Sequence, residues 1–251
     1  MAAQAGQLPL VDYHVHLEGG ITLERALELS ARRGVTFGLV EHGGKGQALR
    51  DDTSLTAYIE DLQGRAAYTG MQAEGLDWMQ CFTAGAAARL DYVLTDALTF
   101  PAADGRVVRL WEPDAEVGEA QAFMDRYLDF HLQILATEPI DILANPTFLP
   151  ASLAQRYDEL WTPARMERLI EGCVEVGVAV EINSRYCVPS SRFIGLAKEA
   201  GAIFAFGSNF HSDDVGRLEY CVQMAEEHGL EAGDLFVPRP AGCKPIQVRS
   251  M

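Results

Sequence analysis

The 251-residue chain has few basic residues and no long apolar segment. It carries 20 lysine and arginine residues against 36 aspartate and glutamate residues, a formal net charge of -16 at pH 7. This balance argues against a nucleic-acid-binding surface, which is normally basic. No apolar run approaches the roughly 20 residues that span a bilayer, and the N-terminus lacks the pattern of a signal peptide. We therefore expect a cytoplasmic protein that binds neither nucleic acid nor membrane.

Cysteine is also scarce, and no pair of cysteines has the C-x-x-C spacing. The five cysteines are Cys81, Cys173, Cys187, Cys221 and Cys243. Without a framework pattern they predict unpaired thiols, most of them buried, as in a reducing compartment. Hydrophobic residues make up 48% and charged residues 22% of the chain, which is typical of a globular protein with a sizeable core.

Short β-like runs alternate with helical patterns along the whole chain. The predicted strands cover 8–13, 36–40, 70–74, 91–98, 139–145, 177–183 and 202–208. Such alternation predicts parallel strands joined by helical crossovers. Because no low-complexity linker divides the chain, we expect one domain over 1–251. The long loops are placed at 99–113, which includes Asp104, and at 145–161, and an irregular tail at 236–251.

Capping residues predict where several helices begin. Thr53 or Ser54 can cap one helix, Thr162 followed by Pro163 begins a second, and Ser190 or Ser191 begins a third. A further helix is predicted over 215–228. The apolar stripe of the second helix comprises Met166, Leu169, Ile170, Cys173 and Val174.

Every predicted strand ends near a polar side chain, and most of these side chains can bind metal. In chain order they are His14, His16, Glu41, His42, Glu74, Asp96, Asn145, Glu181, Asn183, Asn209 and His211. Residues two apart on a strand face the same side, so His14 and His16 can converge on one ion. A closed ring of strands brings such ends together, whereas an open sheet spreads them along an edge, so we favour a barrel. His131 and His228 fall in helical segments and are interpreted as surface or packing residues.

Several motifs of the chain resemble the PHP (polymerase and histidinol phosphatase) superfamily. They are Asp12-Tyr13-His14-Val15-His16, Gly38-Leu39-Val40-Glu41-His42, Asp91-Tyr92-Val93-Leu94, Glu181-Ile182-Asn183-Ser184-Arg185 and the run over 206–220. The resemblance implies a distorted seven-stranded (βα) barrel of the TIM-like type. It also implies up to three metal ions at the carboxyl ends of the strands and the hydrolysis of phosphoesters.

The resemblance also assigns metal ligands. His14 and His16 resemble the first-motif ligands, His42 and His211 the ligands of a neighbouring ion, and Glu74 the bridging carboxylate. Three positions depart from the family pattern, because Leu98, Asn145 and Asn209 stand where stronger ligands are usual. Asp96 can restore a carboxylate, and Glu18 can join His42 and His211. We therefore expect one or two zinc, manganese or iron ions instead of three.

The expected activity is hydrolysis of a small anionic phosphoester, as by histidinol phosphatases, using a metal-activated water. Glu74, Asp96 and Arg185 are the candidate catalytic residues. Candidate substrate-binding residues are Arg185, Arg217, Asn183 and Lys45. Arg217 has the alternative of pairing with Glu219 or Glu226, and the glycine-rich loop around Lys45 lacks the Walker spacing. Trp111 and Tyr186 are further candidates to line the pocket.

Two other functions compete with this one. The run His14-Val15-His16-Leu17-Glu18-Gly19 also resembles the opening motif of amidohydrolases related to adenosine deaminase. The chain lacks the His-Ala-Gly-Glu segment of that family, however. The changes at Leu98, Asn145 and Asn209 motivate the second alternative, a barrel that has lost catalysis and serves for binding. The identity of the substrate, the metal and the oligomeric state are left open by the sequence.

Overall fold

The computed structural model describes residues 8–102 and 105–249, so the predicted loop residue Asp104 lies outside them. Its strands are β1 (Val11–His16), β2 (Thr36–Gly43), β3 (Ala67–Ala73), β4 (Tyr92–Thr95), β5 (Thr99–Pro101), β6 (Val107–Arg109), β7 (Ile142–Leu143), β8 (Ala179–Asn183) and β9 (Phe204–Gly207). Seven of them form a closed barrel in the order β1-β2-β3-β4-β7-β8-β9. All neighbouring barrel strands are parallel, and the pairing of Asp12 with Phe206 closes the ring. The predicted seven-stranded TIM-like barrel is confirmed.

Helices connect the barrel strands. They are α1 (Leu23–Arg33), α2 (Asp52–Leu62), α3 (Ala84–Ala87), α4 (Ala120–Thr137), α5 (Tyr157–Leu160), α6 (Pro163–Val176), α7 (Ser191–Glu199), α8 (Glu219–His228) and α9 (Pro245–Val248). Short 3-10 turns cover Trp78–Cys81, Ala154–Arg156 and Ala232–Asp234. Across the described residues, no helix is both long and apolar enough to cross a membrane.

Two of the predicted helix starts are confirmed and two are wrong. Thr162 caps α6 and Ser190 caps α7, each through its side-chain oxygen. The N-cap of α2 is Asp51, because its carboxylate accepts a 2.8 Å hydrogen bond from Ser54 N while Ser54 Oγ accepts from Asp51 N. The last helix begins at Glu219, since Gly216 has a φ of 79° and cannot continue a helix.

The boundaries of the strands also differ from the predictions. β1 continues to His16 because Val15 and His16 pair with Leu39 and Val40 of β2. β7 comprises only two residues of the predicted strand 139–145. The proline at position 139 has no backbone N–H that could pair with a neighbouring strand. The predicted loop 99–113 contains the antiparallel hairpin of β5 and β6.

Further corrections concern the second loop, the tail, the thiols and one stripe residue. The predicted loop 145–161 contains α5, and the tail after 235 contains α9. Cys173 and Cys221 are buried, but Cys187 and Cys243 are exposed, so burial of most thiols is not observed. Val174 of the α6 stripe is 39% exposed. His131 is a packing residue, fully buried in α4.

Candidate metal centre

The carboxyl ends of the barrel strands surround a cavity of about 280 Å³. Nine of the predicted site residues line it: His14, His16, Glu18, His42, Glu74, Asp96, Arg185, Asn209 and His211. They come from six different strands or the loops that follow them, so closure of the barrel is what brings them together. Gln72, Leu98, Thr99, Trp111 and Tyr186 complete the lining.

Backbone hydrogen bonds hold the first histidine segment in place. The buried carboxylate of Asp12 accepts bonds from His14 N at 3.1 Å and from Ser208 N at 2.8 Å through Oδ1. Its other oxygen accepts from Gly216 N at 2.9 Å. Asp12 therefore ties β1 to the loop after β9 directly beneath the cavity.

Three side chains form a group that could hold a metal ion. One donor atom each of His16, Glu18 and His42 lies within 4.8 Å of the other two. Glu18 Oε1 is 3.6 Å from His42 Nε2, and Glu18 Oε2 is 3.1 Å from His211 Nδ1. The His16 ring stacks against His42 and His211, with ring centroids 4.7 and 5.2 Å away. Imidazoles and carboxylates are the donors that zinc, manganese and iron accept in proteins.

The electrostatics of His16 fit a metal ligand. Its Nδ1 atom is buried and has no hydrogen-bond partner among the described residues. Burial, and then the neighbouring imidazoles of His14, His42 and His211, hold the pKa of His16 well below its usual range. The ring is therefore neutral, which is the form that offers a lone pair to a metal ion.

The pKa values of His42 and His211, whose rings stack against His16, shift in opposite directions. Burial lowers the pKa of His42, but the 2.8 Å hydrogen bond between its Nδ1 and Glu74 Oε1, together with the charges of Glu74, Glu18 and Glu41, gives a net upward shift. Burial and the nearby Arg185 guanidinium lower the pKa of His211 despite its contact with Glu18. Glu74 thus fixes the orientation of the His42 ring, as carboxylates behind histidine ligands commonly do.

His14 lies in a separate hydrogen-bonded chain. Its Nδ1 is 2.6 Å from Glu181 Oε1, and its Nε2 is 3.2 Å from Gln72 Oε1. Burial lowers the pKa of His14, but the Glu181 carboxylate raises it by more. Glu181 Oε2 in turn accepts bonds from Asn145 N at 2.8 Å and Asn183 Nδ2 at 3.1 Å. Because both ring nitrogens of His14 have protein partners, its role as a ligand stays a prediction.

Asp96 continues this chain of hydrogen bonds through Gln72 and Asn145. Its Oδ2 accepts bonds from Asn145 Nδ2 at 3.2 Å and from Gln72 Nε2 at 3.5 Å. Burial and the nearby Glu74 carboxylate raise the pKa of Asp96 to about 6. Asp96 and Leu98 line the same cavity. Gln72, which links this carboxylate to His14, was not predicted, although it lies two residues before Glu74 and its alternation could have revealed it.

Four predicted site residues do not line the cavity. Asn145 and Asn183 lie behind it, bonded to Asp96 and Glu181 as described above. Arg217 pairs with Glu219 at 3.0 Å and with Asp214 at 3.1 Å, which agrees with the alternative given for it. Lys45 is exposed in the turn after β2.

Arg185, by contrast, stands at the cavity wall. Its Nη1 donates a 3.0 Å hydrogen bond to the carbonyl oxygen of Asn209, which has a φ of 49°. Its guanidinium carbon lies 5.1 Å from the centre of the Tyr186 ring. A guanidinium group has five N–H donors, so this anchoring leaves donors for an anion in the cavity.

Comparison with known proteins adds support for the fold. No protein-family model and no curated protein sequence matches the chain. Among solved structures, the chain is similar to a histidinol phosphate phosphatase from Lactococcus lactis subsp. lactis Il1403, complexed with zinc, L-histidinol and phosphate. The TM-score is 0.63 at 11% sequence identity, and the match covers 91% of this chain and 99% of that chain. At this identity the likeness supports the fold alone, a closed barrel of parallel strands joined by helices.

Proposed function

We propose that this barrel is a metal-dependent hydrolase that cleaves a small phosphoester in the cavity described above. The observation that carries the proposal is the convergence of His16, Glu18 and His42 within 4.8 Å at the carboxyl end of the barrel. We expect one or two divalent zinc, manganese or iron ions per chain. Such an ion would supply Lewis-acid chemistry and lower the pKa of a water molecule to about 7. The histidinol phosphate phosphatase of similar fold is complexed with zinc and phosphate, which supports the same class of reaction here.

The remaining cavity residues have separate roles in this proposal. Arg185 binds the substrate phosphate, because it is a cation fixed at the cavity wall by Asn209. Glu74 orients His42. Asp96, whose pKa burial and Glu74 raise to about 6, can hold or release a proton at Oδ2 near neutral pH. Asn145 and Asn183 position Asp96 and Glu181 from behind.

Phosphate release from a panel of phosphomonoesters tests the proposal, with Arg185→Gln as the variant. We expect kcat/KM to fall by about tenfold to a hundredfold, because charge-assisted hydrogen bonds to the phosphate are lost. Arg217→Gln removes the same charge outside the cavity and should keep kcat/KM within about twofold. Activity of Arg185→Gln equal to that of the control would contradict the role of Arg185. Ammonia release from aminopurines without phosphate release from any ester would favour the amidohydrolase alternative instead.

A further inference from the structure

A second cavity, of about 430 Å³, opens beside the candidate metal centre. Its walls are apolar, and the rings of Trp111, Phe148, Tyr157 and Tyr186 make up much of them. None of the described residues that line it is an aspartate, glutamate, lysine or arginine. A cavity of this composition receives uncharged apolar groups, since a charged group would lose its hydration there without gaining a partner.

The two cavities share part of their walls. Trp111 and Tyr186 line both of them. Arg185, the proposed phosphate-binding residue, directly precedes Tyr186 and lies over its ring. A molecule whose anionic group meets Arg185 can therefore extend past Trp111 and Tyr186 into the apolar cavity.

Hydrogen bonds and ring contacts hold the walls of the second cavity in place. The Phe148 and Tyr186 rings meet edge to face with centroids 4.7 Å apart. The Tyr157 hydroxyl donates to Thr147 Oγ1 at 2.5 Å and accepts from Ser190 N at 3.2 Å. Tyr186 N donates to Asn183 Oδ1 at 3.1 Å. The Tyr157 hydroxyl and the Tyr186 backbone N–H thus have protein partners, and the rings present apolar surface to the cavity.

We infer that the second cavity binds the leaving group of the substrate, and that this group is an uncharged aromatic alcohol. The inference rests on the proposed function and names the substrate class as aryl phosphomonoesters. An apolar cavity of about 150 Å³ accommodates benzene, so about 430 Å³ has room for a bicyclic ring system. An amino alcohol such as histidinol carries an ammonium group, for which these walls offer no carboxylate.

The reaction follows from this arrangement. A bond forms between phosphorus and the oxygen of a water molecule, and the bond between phosphorus and the aryl oxygen breaks. One proton of the water passes to the aryl oxygen, so that the products are inorganic phosphate and the aromatic alcohol. The alcohol is left in the apolar cavity, while the phosphate is left beside Arg185.

Kinetics with two phosphomonoesters test the inference. For 1-naphthyl phosphate, Trp111→Ala and the cavity-filling Ala151→Trp should each lower kcat/KM by at least about tenfold. For glycerol 3-phosphate Ala151→Trp should stay within about threefold of the unmodified protein, because Ala151 does not line the cavity of the candidate metal centre. Trp111 is 46% exposed and Ala151 is exposed, so both variants are expected to fold. Val237→Ala, at an exposed apolar residue that lines neither cavity, is the matched control.

A binding measurement separates the inference from the proposed function. Cys187 is exposed and lines the second cavity, whereas Cys243 is exposed and does not line it. We expect 1-naphthol to slow the alkylation of Cys187 by iodoacetamide at least about threefold, measured by mass spectrometry, and to leave Cys243 unchanged.

The outcomes of these two experiments are distinguishable. Protection of Cys187 without hydrolysis of any phosphoester supports the aromatic subsite and overturns the proposed function. Hydrolysis of both esters at equal rates, unaffected by Trp111→Ala and without protection of Cys187, overturns the subsite and leaves the proposed function standing.

Discussion

The two halves of the barrel interior differ in the side chains that fill them. Towards the amino ends of the strands, the rings of Tyr13, Tyr92 and Phe236 pack with centroids 5.1 to 6.3 Å apart. The Tyr92 hydroxyl donates to Tyr13 O at 2.8 Å, and the Tyr13 hydroxyl donates to Phe236 O at 3.1 Å. Towards the carboxyl ends, His16 has a buried nitrogen without a partner among the described residues.

This difference separates residues that stabilise the barrel from residues that have a role in function. We call the amino ends of the strands the lower end of the barrel and the carboxyl ends the upper end. At the lower end even the glycines serve packing, because a Cβ on Gly38 or Gly70 would lie 2.3 Å from an atom of Tyr92. The unpartnered Nδ1 atom of His16 at the upper end lies among other possible metal ligands, so it is best explained by a ligand. Function at the carboxyl end and stability at the amino end is the usual division in such barrels.

Removing a histidine from the upper end should have the largest effect on activity. We expect His42→Ala to lower kcat/KM for a phosphomonoester by about 10³-fold, equivalent to about 4 kcal/mol of transition-state stabilisation. The metal-free protein should lose no more than about 1 kcal/mol of unfolding free energy, because His42 is partly exposed. His228→Ala, on α8, is the control and should be fully active. Hydrolysis by His42→Ala at the control rate would contradict the assignment of function to the carboxyl ends of the strands.

A change at the lower end should show the opposite pattern. Tyr92→Ala removes a fully buried ring, so we expect the free energy of unfolding in urea to fall by about 3 to 5 kcal/mol. Tyr92→Phe keeps the ring and loses one hydrogen bond, at a cost of about 1 kcal/mol. The metal content per folded chain should be unchanged in both variants. A loss below about 1 kcal/mol in Tyr92→Ala would show that the lower end is not the stabilising half.

A carboxylate at the lower end gives a smaller, pH-dependent effect. Asp141 is 3% exposed, accepts a 2.9 Å bond from Val93 N, and has its pKa raised to about 6 by burial. Because the unfolded pKa is about 3.9, this group stabilises the fold below about pH 4, and that contribution is lost as the pH rises through about 6. At pH 7.5 the free energy of unfolding of Asp141→Asn should therefore exceed that of the unmodified protein by about 1 to 2 kcal/mol. At pH 4 the two values should be equal.

Unfolding in urea at both pH values, on metal-free protein, measures this effect. Asp61→Asn changes an exposed carboxylate in α2 and serves as the control. A gain in Asp141→Asn that is the same at pH 4 and pH 7.5 would show that ionisation of Asp141 is not its cause.

The barrel could be predicted from the sequence because its signals are local. Each strand is a short apolar run, and a polar residue such as His42, Glu74 or Asp96 marks where it ends. The hairpin of β5 and β6 escaped prediction, since strands of three residues are too short to show a period. The end of β1 was placed too early because pairing with β2, rather than local composition, extends it to His16.

The site could be predicted in its ligands but not in its internal partners. The strand ends predicted seven of the cavity residues, since closure of the barrel places any strand end at the same rim, and the family resemblance added Glu18 and Arg185. Gln72 was missed because an amide is not a typical metal ligand, and its contacts with His14 and Asp96 come from other strands. Lys45 and Arg217 are on loops, whose direction depends on tertiary contacts that periodicity does not encode.

The metal content of the protein, purified without chelators and measured by elemental analysis, tests the central claim most directly. We predict at least one zinc, manganese or iron ion per chain, lost in His16→Ala and retained in His228→Ala. A protein that holds none of these metals and takes none up when they are added would contradict the account. Binding of equal amounts by His16→Ala and the unmodified protein would contradict it as well.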